Sequence, residues 1–84
     1  MPTKNRASPE DIAEENRKLK RLRFMVDFTI SLMYQSNMPV EEASEHVEKV
    51  RKYALRLFPG KETAFELIYA PRFRRVLLEI YGLH

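Results

Sequence analysis

The chain contains no cysteine and no tryptophan, and it has two glycines and two histidines. Without thiols there is neither a disulfide framework nor a thiolate metal site, and the composition suits a reducing compartment. Gly60 and Gly82 stand too far apart to build a phosphate-cradling loop, which needs closely spaced glycines. His46 has Glu42 one turn before it and Glu45 beside it, but no second histidine follows at helical spacing, so a surface role is expected and not a metal site. His84 is the last residue. None of Ser8, Ser31, Ser36 and Ser44 stands in a nucleophile-elbow pattern, and nothing fixes Asp27 beside Glu66 or Glu79 as a catalytic acid pair. No long apolar run is present: the stretch from Phe24 to Tyr34 is broken by Asp27, Thr29 and Ser31, and the opening MPTKNRASPEDI is polar. Neither a signal peptide nor a membrane span is therefore expected. These absences predict a non-enzymatic, cytoplasmic protein with no cofactor, no metal and no membrane partner.

What is present is enough for one small core. Eighty-four residues, 44% hydrophobic and 32% charged, with five phenylalanines and four tyrosines, are globular values. At this length only about 60–65% of the unfolded chain's surface is buried on folding, so a second domain is excluded. Residues 1–7 are polar and unpatterned and predict a flexible tail, with a single helical domain over residues 8–84.

Helix signals dominate that domain. Ser8-Pro9-Glu10-Asp11 is a strong start: the serine can accept a free backbone N–H, the proline fits the first turn, and the acids face the positive end of the dipole. The predicted first helix runs from Pro9 to Ser36, polar in front with Ile12, Leu19 and Leu22 on one stripe and apolar nearly all round from Phe24 to Tyr34. Such a helix is expected at the centre of its bundle. Val40, Ala43, Val47, Val50, Ala54 and Leu57 follow alternating spacings of three and four and form a heptad seam on a second helix that opens near Pro39. Pro59 and Gly60 end it. Lys61 to Ala70 reads as a short third helix with Phe65, Ile68 and Tyr69 inward. Pro71 either opens a fourth or kinks one continuous helix, with Phe73, Val76, Leu77, Ile80 and Tyr81 inward and Gly82 as the stop. No strand pattern is seen. The expected fold is an all-α bundle of three or four helices.

Charge supplies the candidate functional residues. The second helix begins with Glu41, Glu42, Glu45 and Glu48 and ends with Lys49, Arg51, Lys52 and Arg56, a gradient its own dipole explains, with Glu45–Lys49 and Glu48–Lys52 as expected pairs. Two basic groups are not so explained. Arg17, Lys20 and Arg21 share a side in the middle of the first helix, with Glu14 answering Lys18 and Asp27 one turn from Arg23. Arg72, Arg74 and Arg75 lie behind Pro71 at a helix start, where each cation is disfavoured by about 0.3–1 kcal/mol. Arg75 has Glu79 in the less favourable orientation, whereas Arg72 and Arg74 have no local acid. They either pair across the bundle, with Glu62, Glu66 or the acidic start of another helix as candidates, or bind a phosphate or nucleic acid, or dock an acidic protein partner.

Two functions follow. In the first, the domain is a protein-interaction or regulatory module that uses the apolar surface of Phe24, Phe28 and Leu32 and the arginine cluster to bind another protein or a second copy of itself. The alternative is a nucleic-acid-binding domain of helix-turn-helix type, with Arg72, Arg74, Arg75 and the basic part of the first helix touching phosphates. A short connection at Ala70-Pro71 and the lack of Asn, Gln, Ser or Thr on the outer face count against base reading.

Overall fold

A computed structural model describes residues 8–82. The predicted tail at residues 1–7 and His84 lie outside the described residues. Four helices form an all-α bundle: α1 (Pro9–Gln35), α2 (Val40–Leu57), α3 (Glu62–Ile68) and α4 (Ala70–Tyr81). No strand occurs among the described residues.

The start of α1 is fixed locally. The Ser8 hydroxyl accepts the Asp11 N–H at 3.1 Å while the Asp11 carboxylate accepts the Ser8 N–H at 3.4 Å, closing a reciprocal capping box. At the other end Ser36 is extended, and the Met38 side chain is buried in the link to α2. Pro39 is the residue before α2 and not its first residue, and its carbonyl accepts the Ala43 N–H at 3.0 Å. Gly60 (φ 79°) turns the chain from α2 to α3, and Gly82 (φ 67°) ends α4 with its N–H on the Leu78 carbonyl at 2.8 Å. Both lie in the left-handed region that an L side chain would strain.

The break near Pro71 falls at Tyr69, one residue earlier than the predicted boundary after Ala70. Pro71 has no N–H for the Leu67 carbonyl, and its ring crowds that same carbonyl, so the ladder fails there. Tyr69 (φ −105°, ψ −33°) absorbs the change: its N–H donates the last bond of α3 to the Phe65 carbonyl, and its own carbonyl accepts the first bonds of α4 from the Arg72 and Phe73 N–H groups.

Packing sets the direction of each helix. Lys18 on α1 lies over the Phe58 ring, 6.0 Å from its centroid, so the end of α2 comes back beside the middle of α1 and the two helices are antiparallel. Arg72 pairs with Asp27 and Glu79 with Tyr34, both across 45 residues of sequence, so α4 runs parallel to α1 in one register. The core is Leu22, Val26 and Met33 of α1, Ala43, Val50 and Ala54 of α2, Phe65 of α3, and Phe73 and Val76 of α4, with Met38 from the link. The heptad seam on α2 is therefore used as expected, with Val47 and Leu57 partly buried at its edges. Tyr81 donates to the Met38 carbonyl at 2.8 Å and ties the end of α4 to the α1–α2 link.

Three expectations are corrected by this packing. Helix α1 is not covered on all sides: α2 and α4 cover adjacent flanks, and Phe24 and Phe28 remain outside. Ile68 is 58% exposed and not inward, because α3 packs on α2 and α4 but does not reach α1. The pairs foreseen at Glu45–Lys49, Glu48–Lys52, Glu14–Lys18 and Arg75–Glu79 are replaced among the described residues. Glu48 and Glu66 both meet Arg51, at 3.6 and 3.1 Å, so one guanidinium ties α2 to α3. Lys18 sits on Phe58, and Glu79 accepts from Tyr34.

Removing the buried Phe73 ring tests this core. Phe73→Ala is expected to lower unfolding stability by about 3–5 kcal/mol, whereas Tyr81→Phe, which loses one hydrogen bond to the Met38 carbonyl, lowers it by about 0.5–1.5 kcal/mol. Urea denaturation followed by far-ultraviolet circular dichroism measures both.

Candidate functional site

Successive helical residues turn by about 100°, so positions three and four apart share a face. On α1 the buried stripe is Leu22, Val26, Thr29 and Met33. Arg17, Lys20, Arg21, Phe24 and Phe28 follow one another at spacings that place them together on the opposite, outward side. All five are exposed. The basic group and the aromatic pair, separate candidates in the sequence, thus form one continuous face. Phe24 and Phe28 are 66% and 54% exposed and lie stacked, with centroids 6.0 Å apart and planes 18° apart. Leu32 does not belong with them: it is half-buried and packs against the core, since four residues beyond Phe28 the helix has turned it toward the α2 flank.

The arginines of α4 divide. Arg72 donates to Asp27 at 2.9 Å, so its charge is answered across the bundle by α1 and not by Glu62 or Glu66. Both side chains are about half exposed or more, and such a pair contributes about 0.2–1 kcal/mol. This offsets the unfavourable dipole at the start of α4, where the first turn holds no acid. Because Asp27 lies on α1 between Phe24 and Phe28 in sequence, the ion pair stands at the edge of the aromatic pair. Arg75 lies near enough to Tyr34 to act on its hydroxyl electrostatically. Arg74 is exposed and meets no acid within ion-pair distance among the described residues. Arg17, Lys20 and Arg21 also form no ion pair there.

A second concave surface was not foreseen. Because α3 and α1 do not touch, an apolar groove of about 290 Å³ opens between them, floored by Leu22, Ala54 and Phe65 and walled by Leu19, Phe58 and Ile68. The available signal was length: α1 has 27 residues against 18 for α2, so α2 cannot flank all of α1. Glu15 lines the groove's end, and α1 is exposed from Arg17 back to Pro9.

The histidine site stays minimal. His46 Nε2 is 3.8 Å from Glu42 on the polar side of α2. Glu41, Glu45 and Lys49 border it, but among the described residues no three His, Cys, Asp or Glu side chains are grouped to hold a metal. No described helix is long and apolar enough to cross a membrane. No family model, curated protein or solved structure matches the chain.

The Tyr34–Glu79 bond provides a pH probe of the α1–α4 register. The Tyr34 hydroxyl donates to the Glu79 carboxylate, which raises the phenol pKa because ionisation would lose that bond and set two anions side by side; partial desolvation adds to this and Arg75 opposes it. The folded value lies above the unfolded one. The contribution to stability is therefore complete below the ordinary phenol value of about 10 and is lost as pH rises through the folded value. Followed by ultraviolet absorbance, the Tyr34 phenol is expected to titrate above the ordinary value and to move down in Glu79→Gln.

Proposed function

We propose that the protein is a small, non-enzymatic interaction or regulatory module of the cytoplasm that binds another protein through the outward face of α1, centred on Phe24 and Phe28. The observation that carries this reading is the exposed, mutually stacked aromatic pair on a helix whose other face holds the core. Covering what remains exposed of each ring would contribute about half to two thirds of the ~1.5–3 kcal/mol that full burial of such a side chain gives. The pair has the layout of an interface, with an apolar centre and a polar edge made by the Asp27–Arg72 ion pair. A protein partner that offers an apolar side chain to the rings and polar groups to that edge fits this arrangement.

The second reading, a nucleic-acid-binding domain of helix-turn-helix type, rests on Arg74 and Arg75, which stay exposed at the front of α4. Two features weigh against it. One residue, Tyr69, separates α3 from α4, where such motifs use a turn of three or four. Arg72, which would lead the reading helix, is engaged by Asp27.

The test is the double variant Phe24→Ser/Phe28→Ser. Since both rings are exposed, its melting temperature should stay close to wild type, while a partner captured by the wild-type protein, identified and then purified, should bind the variant at least about tenfold more weakly, a loss of about 1.4 kcal/mol. Equal capture by both proteins contradicts the proposed face. Salt-dependent anisotropy with random duplex and single-stranded oligonucleotides decides the second reading, which requires binding that Arg74→Gln/Arg75→Gln weakens.

A further inference from the structure

The outward face of α1 is sorted along its length. Arg17 and Phe24 stand seven residues apart, as do Arg21 and Phe28, so each cation lies about 20° round the helix and about 10 Å along it from its ring. Lys20 is one turn from Phe24. The three cations are exposed and form no ion pair among the described residues. Past the rings the same face continues as Ser31 and Gln35, exposed and uncharged, and α1 carries no cation after Arg23. Asp27, the acid between the two rings in sequence, is already answered by Arg72. The aromatic pair therefore has unanswered positive charge at one end and none from α1 at the other.

We propose that the partner seated on Phe24 and Phe28 is an acidic segment of another protein, with apolar side chains on the rings and carboxylates on Arg17, Lys20 and Arg21. This rests on the reading of the aromatic pair as a protein interface and adds the chemistry of its occupant. Charge complementarity selects that occupant. Carboxylates laid over these cations gain attraction at the rim of the interface without breaking an existing pair, whereas a basic segment is repelled there. An uncharged segment covers the rings but leaves the cations partly desolvated with nothing in return. The spacing also predicts the partner's pattern. Its acids lie about 10 Å to one side of its apolar anchor, which is about two turns along a helix or about three residues along an extended strand. Nucleic acid is the poorer match, because its charge runs along its whole length. The cations span only about 6 Å of helix axis from Arg17 to Arg21, and Glu14 and Glu10 hold the same face beyond them.

Random displayed peptides of about 16 residues, or about 24 Å as a helix, selected on the immobilised full chain, test the proposal. Peptides that also bind Phe24→Ser/Phe28→Ser are discarded. Those retained should carry Asp or Glu at that spacing from an aliphatic or aromatic residue. Synthesised singly, they should bind wild type more weakly as salt rises. Arg17→Glu/Arg21→Glu should lose about tenfold or more in affinity, and replacing the peptide's acids with lysine should restore binding to that variant. Arg17→Gln/Lys20→Gln/Arg21→Gln serves if the charge reversal loses helix by circular dichroism, with an expected loss of about threefold or more. Retained peptides without acids, or affinities that neither variant changes, would overturn the acidic partner and leave the aromatic face standing. A selection that retains no peptide would overturn the face and this proposal with it. Random single-stranded oligonucleotides, or self-association in sedimentation equilibrium, seen for wild type and lost in Phe24→Ser/Phe28→Ser would overturn the proposal in favour of that occupant.

Discussion

Helix α1 is longer than anything available to cover it. It has 27 residues, while α2 has 18 and α4 has 12. Its buried stripe, Leu22 to Met33, occupies only the rear half, held on one flank by Ala43, Val50 and Ala54 and on the other by Phe73 and Val76. Everything distinctive about the surface follows from that shortfall. The front of α1 is bare, the groove opens where α3 stops short of it, and the outward side carrying Phe24 and Phe28 has no helix left to receive it.

The polar contacts act as registers more than as sources of stability. Arg72–Asp27 and Tyr34–Glu79 both join α4 to α1 at one offset, and Arg51 ties Glu66 of α3 to α2. Exposed pairs of this kind contribute little individually, and the buried side chains carry the fold. Their value is geometric: they fix which turn of α4 faces which turn of α1, and so they hold Arg72 at the edge of the aromatic pair.

The helices were legible in the sequence because their signals are local. The Ser8 cap, the three-and-four spacing from Val40 to Leu57, and the stops at Gly60 and Gly82 each act within a turn or two. Long-range partners were not legible. Asp27 looked like a neighbour for Arg23, and only the parallel register of α4 brings it to Arg72. Ile68 read as inward because its spacing from Phe65 is helical, but spacing says which residues share a face and not whether another helix arrives to cover it. The same gap misplaced Leu32, whose apolar character is shared with Phe24 and Phe28 while the turn of the helix sends it to the α2 flank. The groove between α1 and α3 had a signal only in the unequal helix lengths.

The central claim is that α1 is one helix with a packed rear half and a front half that no other helix covers. Amide hydrogen exchange along α1 tests it most directly. The account predicts slow exchange from Leu22 to Met33 and fast exchange from Ile12 to Arg17. Equal protection along the whole helix would contradict it, because it would mean that the front of α1 is held as firmly as the packed rear half.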